Sequence, residues 1–153
     1  MTIQEHQTLD MENLISLRKF IPAMEMQGCV ERLLSYIDSY GAKKVGGGVS
    51  ATYAVDGDKI DMALYFPIDK EIPSTDEFLF KPKLRLENCL KITHKGNPQL
   101  MEEAVNKLNE HVIANNLTAI SVGFIVTKKE IVNQQDLDLF EADVYISISP
   151  NIL

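Results

Sequence analysis

The strongest constraint on this chain is its agreement with itself at a constant spacing. A shift of 75 positions carries Leu17 onto Ile92, Val30 onto Val105, Leu33 onto Leu108, Ile37 onto Val112, Gly48 onto Gly123 and Thr52 onto Thr127. Past a hairpin loop that is five residues longer in the second half, a shift of 80 carries Leu64 onto Val144, Tyr65 onto Tyr145, Phe66 onto Ile146 and Ile68 onto Ile148. Amphipathic patterns align with one another easily, but they do not require the same glycine, threonine and tyrosine at one offset. The sequence therefore predicts an internal duplication within a single domain spanning 1–153, a length that suits one core. A flexible N-terminal tail (1–10) precedes repeat one (11–68), a crossover (69–83) and repeat two (84–153).

Each repeat reads as strand, helix, strand, strand. In MENLISLRKF, Ile15 and Leu17 alternate with Ser16 and Arg18, as a strand requires, and Pro22 interrupts the run. Met26, Val30, Leu33, Leu34 and Ile37 recur at helical steps over 24–40, and Gly41 suits a left-handed closing residue. VGGGVSATYAV and KIDMALYFPI flank Asp56, Gly57 and Asp58 and are expected to pair as a hairpin. The glycines of VGGG open no helix and lack a following Lys-Ser/Thr, so they indicate a bulge or a close strand approach rather than a phosphate loop. The crossover, with Pro73, Pro82 and an apolar Phe78-Leu79-Phe80, is expected to be partly packed. KLRLENCLKITH then predicts a strand. Met101, Val105, Leu108 and Val112 predict a helix from 97 that Asn115 and Asn116 can end, and AISVGFIVTKK and LFEADVYISI predict strands joined by a loop over 130–138.

One helix per repeat covers one sheet face. The expected fold is α+β: duplicated strand-helix-strand-strand modules form one antiparallel curved sheet, with both long helices on one face and a groove on the other.

Composition narrows the function. At 45% hydrophobic and 24% charged residues the chain is globular, and no apolar run reaches the roughly 18 residues of a membrane span. A polar, acidic start and a net charge of −7 point to a cytoplasmic protein with neither a membrane nor a nucleic acid as direct partner, since phosphate neutralisation needs clustered Lys and Arg. Cys29 and Cys89 lack metal-ligand spacing and read as reduced, buried thiols; His6, His94 and His111 are scattered, with His94 read as structural or capping. No metal or cofactor is expected.

Alternation picks out the candidate site. Val144, Ile146 and Ile148 share one face of the last strand and are expected to meet the helices, so Asp143, Tyr145 and Ser147 face the groove. In the corresponding strand Met62, Leu64, Phe66 and Ile68 point to the helices, and Asp61, Ala63, Tyr65 and Pro67 to the groove. A carboxylate among aromatic walls is costly to desolvate until a cation arrives, and the aromatic faces attract that cation. Asp143 is thus the candidate counter-charge of a cationic ligand. Its competing reading is a strand carboxylate hydrogen-bonded to a neighbour, and that of Tyr65 and Tyr145 is packing with hydroxyls outward.

The order of elements over 14–149, the stretch THKGNPQLMEEAVNKL and the closing strand FEADVYISI together resemble the GyrI-like, or AraC effector-binding, domains, which share a duplicated architecture with the SOUL haem-binding group. The sequence departs from that pattern at Asn97, Pro98 and Gln99, where a tyrosine is usual, at Asp143, commonly glutamate, and at Ser147, commonly proline. The resemblance implies non-catalytic binding of a hydrophobic or cationic small organic ligand, with the acidic residue of the last strand facing it. Two alternatives stay open: a protein-interaction or accessory module, for which FLF and PKLRL would serve as a surface although FLF is expected to be partly buried under the crossover, and, as the resemblance implies, hydrolysis of strained electrophiles by Asp143 or Glu141 with Tyr145. The helix-turn-helix often fused to this family has no counterpart expected in the chain.

Overall fold

Three- and four-residue spacing of apolar side chains produces two helices in the computed structural model, which describes residues 2–129 and 133–149. Helix α1 (Met26–Ser39) follows a 3-10 turn at Ala23–Glu25 and buries Met26, Cys29, Leu33 and Ile37. Cys29 lies deeper than the predicted Val30, which with Leu34 flanks the core. Gly41 adopts φ +68° just past the helix, and the Ala42 N–H reaches back to the Ile37 carbonyl at 3.2 Å, closing the last turn. Helix α2 (Met101–Ala114) buries Ala104 and Leu108, with Met101, Val105 and Val112 packed beside them. Asn116 takes the left-handed conformation at its end, φ 53°, as predicted from its residue type.

The departure at Asn97, Pro98 and Gln99 has a local physical cause. The Asn97 side chain accepts from the Gln99 N–H at 2.9 Å and Pro98 takes the first position of a 3-10 turn, Pro98–Leu100, that leads into α2.

Among the described residues there are six strands: β1 (Ile3–Pro22), β2 (Val49–Asp56), β3 (Lys59–Pro67), β4 (Leu79–Lys95), β5 (Phe124–Lys129) and β6 (Glu141–Ser147). The chain divides into two compact units, Met11–Leu84 and Met1–Asp10 with Arg85–Leu153. In the first, β3 pairs antiparallel with both β1 and β2, and Ile15, Leu17, Phe66 and Ile68 pack with Leu33 and Ile37 of α1. In the second, β6 pairs antiparallel with both β4 and β5, and Leu90, Ile92, Val144 and Ile146 pack with Ala104 and Leu108 of α2. Burial of each large aliphatic side chain contributes roughly 1.5–3 kcal/mol.

Each unit has its own ladder register. Ile15 faces Phe66 across the ladder in the first, and Leu90 faces Ile146 in the second. Val49 faces Tyr65, and Phe124 faces Tyr145. One ladder slips between Thr52 and Ala54, the other between Thr127 and Lys129. Asn13 and Asn88, 75 positions apart, both have positive φ, 54° and 53°, and their carbonyls accept from Ile68 and Ile148.

Several expectations need correction. The tail expected to be loose over 1–10 is strand from Ile3, and Leu9 is buried. The bulge in β2 lies at Thr52 and Ala54 rather than in VGGG; Gly48 instead serves close approach, since a Cβ there would stand 2.6 Å from Phe66 Cε1. Strand β4 begins at Leu79, so part of the predicted crossover is strand, while Ile72 and Phe78 are buried as expected of a packed connection. Of the loop predicted over 130–138, residues 130–132 lie outside the described residues, and Gln134–Leu139 forms a 3-10 helix. Cys29 and Cys89 are free and buried. Among the described residues, no helix is long and apolar enough to cross a membrane.

Candidate functional site

The alternation of β3 and β6 delivers two sets of side chains opposite to the helix-packed cores. In the first unit these are Asp61, Ala63 and Tyr65, and in the second Asp143, Tyr145 and Ser147. Each set has its own surroundings.

In the first unit, Ser16, Arg18, Tyr53, Ala63, Tyr65 and Lys81 contribute to a cavity of about 360 Å³. Arg18 forks onto Asp61, with Nε 3.0 Å from Oδ1 and the second nitrogen 2.9 Å from Oδ2. That bidentate bond holds the Asp61 carboxyl below its ordinary range. The same guanidinium lies 3.9 Å from the Tyr53 ring centroid, a cation–π stack. Burial, reinforced by Tyr53, pushes the Tyr65 phenol up to about 12, so Tyr65 stays neutral at physiological pH. Ala63 faces Arg18 on one side and Ala51 on the other.

Asp143 in the second unit is 4% exposed. Thr93, directly opposite on β4, donates to its Oδ1 at 2.6 Å. The Lys91 and Lys128 ammoniums stand 3.6 and 3.7 Å from its Oδ2, ion-pair distances longer than a hydrogen bond. Lys91 also lies 5.7 Å from the Tyr145 ring centroid. Its ammonium is thus near both the carboxylate and the aromatic face. The Tyr145 phenol is pushed up by its burial and by the neighbouring Asp143 charge. Glu141 meets Lys95 at 3.8 Å and Lys128 at 3.6 Å.

Ser147 has a structural position: its hydroxyl donates to the Glu87 carbonyl at 2.7 Å, and its N–H donates to Ser121 Oγ at 2.9 Å. His94 is buried, with Nε2 2.9 Å from the Asn97 carbonyl, which places it at the start of α2. Among the described residues no group of three or more His, Cys, Asp or Glu could hold a metal ion.

Sequence reasoning overlooked Arg18, Lys91, Thr93 and Lys128. The signal for three of them was present. Leu90, Ile92 and His94 alternate inward on β4, leaving Lys91 and Thr93 on the face of Asp143, and Arg18 shares the corresponding face of β1 with Ser16. Pairing partners for those faces could be assigned only once register was known.

A scan of protein-family models gave no match, and neither did a search of curated proteins. Comparison with solved structures did. The C-terminal domain of EcmrR matches with a TM-score of 0.72 at 14% identity, over 97% of this chain and 99% of that one. Against EcmrR in its complex with DNA, the match covers 95% of this chain and 57% of the other. SAV2435 bound to tetraphenylphosphonium matches with a TM-score of 0.57 at 8% identity, over 97% and 93% of the two chains. A hydrolase from Listeria innocua matches with a TM-score of 0.60 at 11% identity, over 97% and 91%.

Proposed function

We propose that this chain, which has the GyrI-like effector-binding fold, binds a small hydrophobic or cationic organic molecule without transforming it, with Asp143 as the ligand's counter-charge. The observation that carries the reading is a carboxylate 4% exposed that accepts a hydrogen bond from the neutral Thr93 and whose charge is balanced by ammoniums on flexible stems. A buried carboxylate demands a compensating charge, and an organic cation can supply one together with apolar contact to Tyr145. Binding of tetraphenylphosphonium by SAV2435, a protein of the same fold, supports the ligand class. The kept register of the two units supports an origin by internal duplication, in which Ala63 and Asp143 occupy equivalent positions and only one acquired charge. Non-catalytic binding is favoured because Asp143 and Glu141 are both engaged by lysines and His94 Nε2 by the Asn97 carbonyl.

Calorimetric titration with tetraphenylphosphonium tests the reading. Wild-type protein is expected to bind saturably, and Asp143→Asn to weaken binding about tenfold or more, the scale of a lost charged contact. Equal affinity in the two proteins would remove Asp143 from the role. Failure of wild-type protein to bind this probe or any of a set of neutral aromatic compounds would overturn small-molecule binding itself.

A further inference from the structure

We infer that Lys91 is a built-in occupant of the cation position beside Asp143, and that a ligand cation binds by displacing its ammonium. The inference rests on the binding function proposed above and adds how that site is regulated and what it selects.

Three features of the second unit lead to it. Strand register places Lys91 directly opposite Tyr145, so the backbone delivers this lysine to the aromatic residue that flanks the carboxylate. Its ammonium then stands 3.6 Å from Asp143 and 5.7 Å from the Tyr145 ring, combining the two attractions that an organic cation would use. Neither contact is as short as a hydrogen bond, and a four-carbon stem lets the ammonium swing away while the strand stays fixed.

The first unit supplies the contrast. Tyr65 faces Ser16 there, and the position equivalent to Asp143 is Ala63. The pair Lys91 and Asp143 is thus replaced at those register positions by Ser16 and Ala63, and the lysine beside the tyrosine in the first unit is instead Lys81, 5.8 Å from the Tyr65 ring and without an aspartate at position 63. The remaining partners of Asp143 behave differently: Thr93 is short and hydrogen-bonded at 2.6 Å, while Lys128 also meets Glu141 at 3.6 Å and can leave Asp143 without losing a carboxylate.

Displacement sets a selectivity. An incoming cation must gain more from Tyr145 and Asp143 than the ammonium does, which favours bulky, weakly hydrated organic cations over small hydrated ones. Occupancy by Lys91 lowers apparent affinity by the fraction of time the position is taken.

The test is titration of tetraphenylphosphonium and of neutral triphenylphosphine oxide into wild-type, Lys91→Met, Lys91→Gln and Lys91→Met/Asp143→Asn proteins. Circular dichroism would confirm that each is folded. Removing the ammonium is expected to tighten the cation about three- to tenfold, the scale of a partly exposed ion pair, and to leave the neutral probe unchanged. The gain should vanish in the double variant. Saturating tetraphenylphosphonium should also increase acylation of Lys91 by an amine-reactive reagent, read by mass spectrometry. Asp143-dependent binding in wild-type protein with no gain in either single variant, and no change in Lys91 acylation, would overturn displacement while leaving ligand binding intact. No binding in any of the four proteins would overturn both.

Discussion

Gly48→Ala and Gly123→Ala make the same chemical change at positions 75 residues apart, and the structure expects opposite outcomes. A Cβ on Gly48 would stand 2.6 Å from Phe66 Cε1 and 3.0 Å from Cδ1, inside any normal carbon contact. Phe66 is 8% exposed within the first unit's core, so its ring cannot yield without disturbing packed neighbours. Overpacking of this kind costs about 1–3 kcal/mol. A Cβ on Gly123 would stand 3.6 Å from Val144 Cγ1, an ordinary contact. Alanine there also restricts the unfolded chain, so the expected change is neutral or a stabilisation of about 0.4–1 kcal/mol. Urea unfolding of both variants would measure the difference. Phe66→Leu, which removes the ring, should relieve much of the Gly48→Ala penalty in a double-mutant cycle. Equal stability loss at the two glycines, or a full Gly48→Ala penalty in the Phe66→Leu background, would refute the close-approach explanation.

Other perturbations probe the remaining elements. Leu9→Ala should destabilise the protein by about 2–5 kcal/mol in denaturant unfolding, the range for truncating a buried leucine, whereas a loose tail would show no change. Tyr65 carries a phenol raised from 10.0 to about 12, so folding favours its neutral form; the stability this contributes is complete below pH 10 and is lost as pH rises through about 12. Tyr65→Phe is therefore expected to lose less stability than wild-type protein between about pH 9 and about pH 11, compared by urea midpoints.

Element order, both helices and the faces of the central strands were legible because they rest on local periodicity. Met26, Leu33 and Ile37 recur with the helical period, and Val144 and Ile146 with the strand period, wherever the rest of the chain lies. Positions 75 and 80 apart occupy matching places in the two ladders, Ile15 opposite Phe66 and Leu90 opposite Ile146. The N-terminal segment was misjudged because its polar composition hides a strand whose burial rests on Leu9 and whose remaining support comes from distant residues, such as Arg85 on Asp10 at 2.6 Å.

The candidate site divides in the same way. By itself the sequence determined that Asp143 and Tyr145 lie apart from the helix-packed face of their strand. It did not determine what Asp143 meets. Lys91 and Thr93 are some 50 residues away in the chain, and only β4–β6 pairing sets one beside Tyr145 and the other on the carboxylate. Alternation is a property of each strand alone, whereas electrostatic partnership belongs to the register between strands. Tertiary structure thus decided that the carboxylate read as waiting for a cation already has one within 3.6 Å.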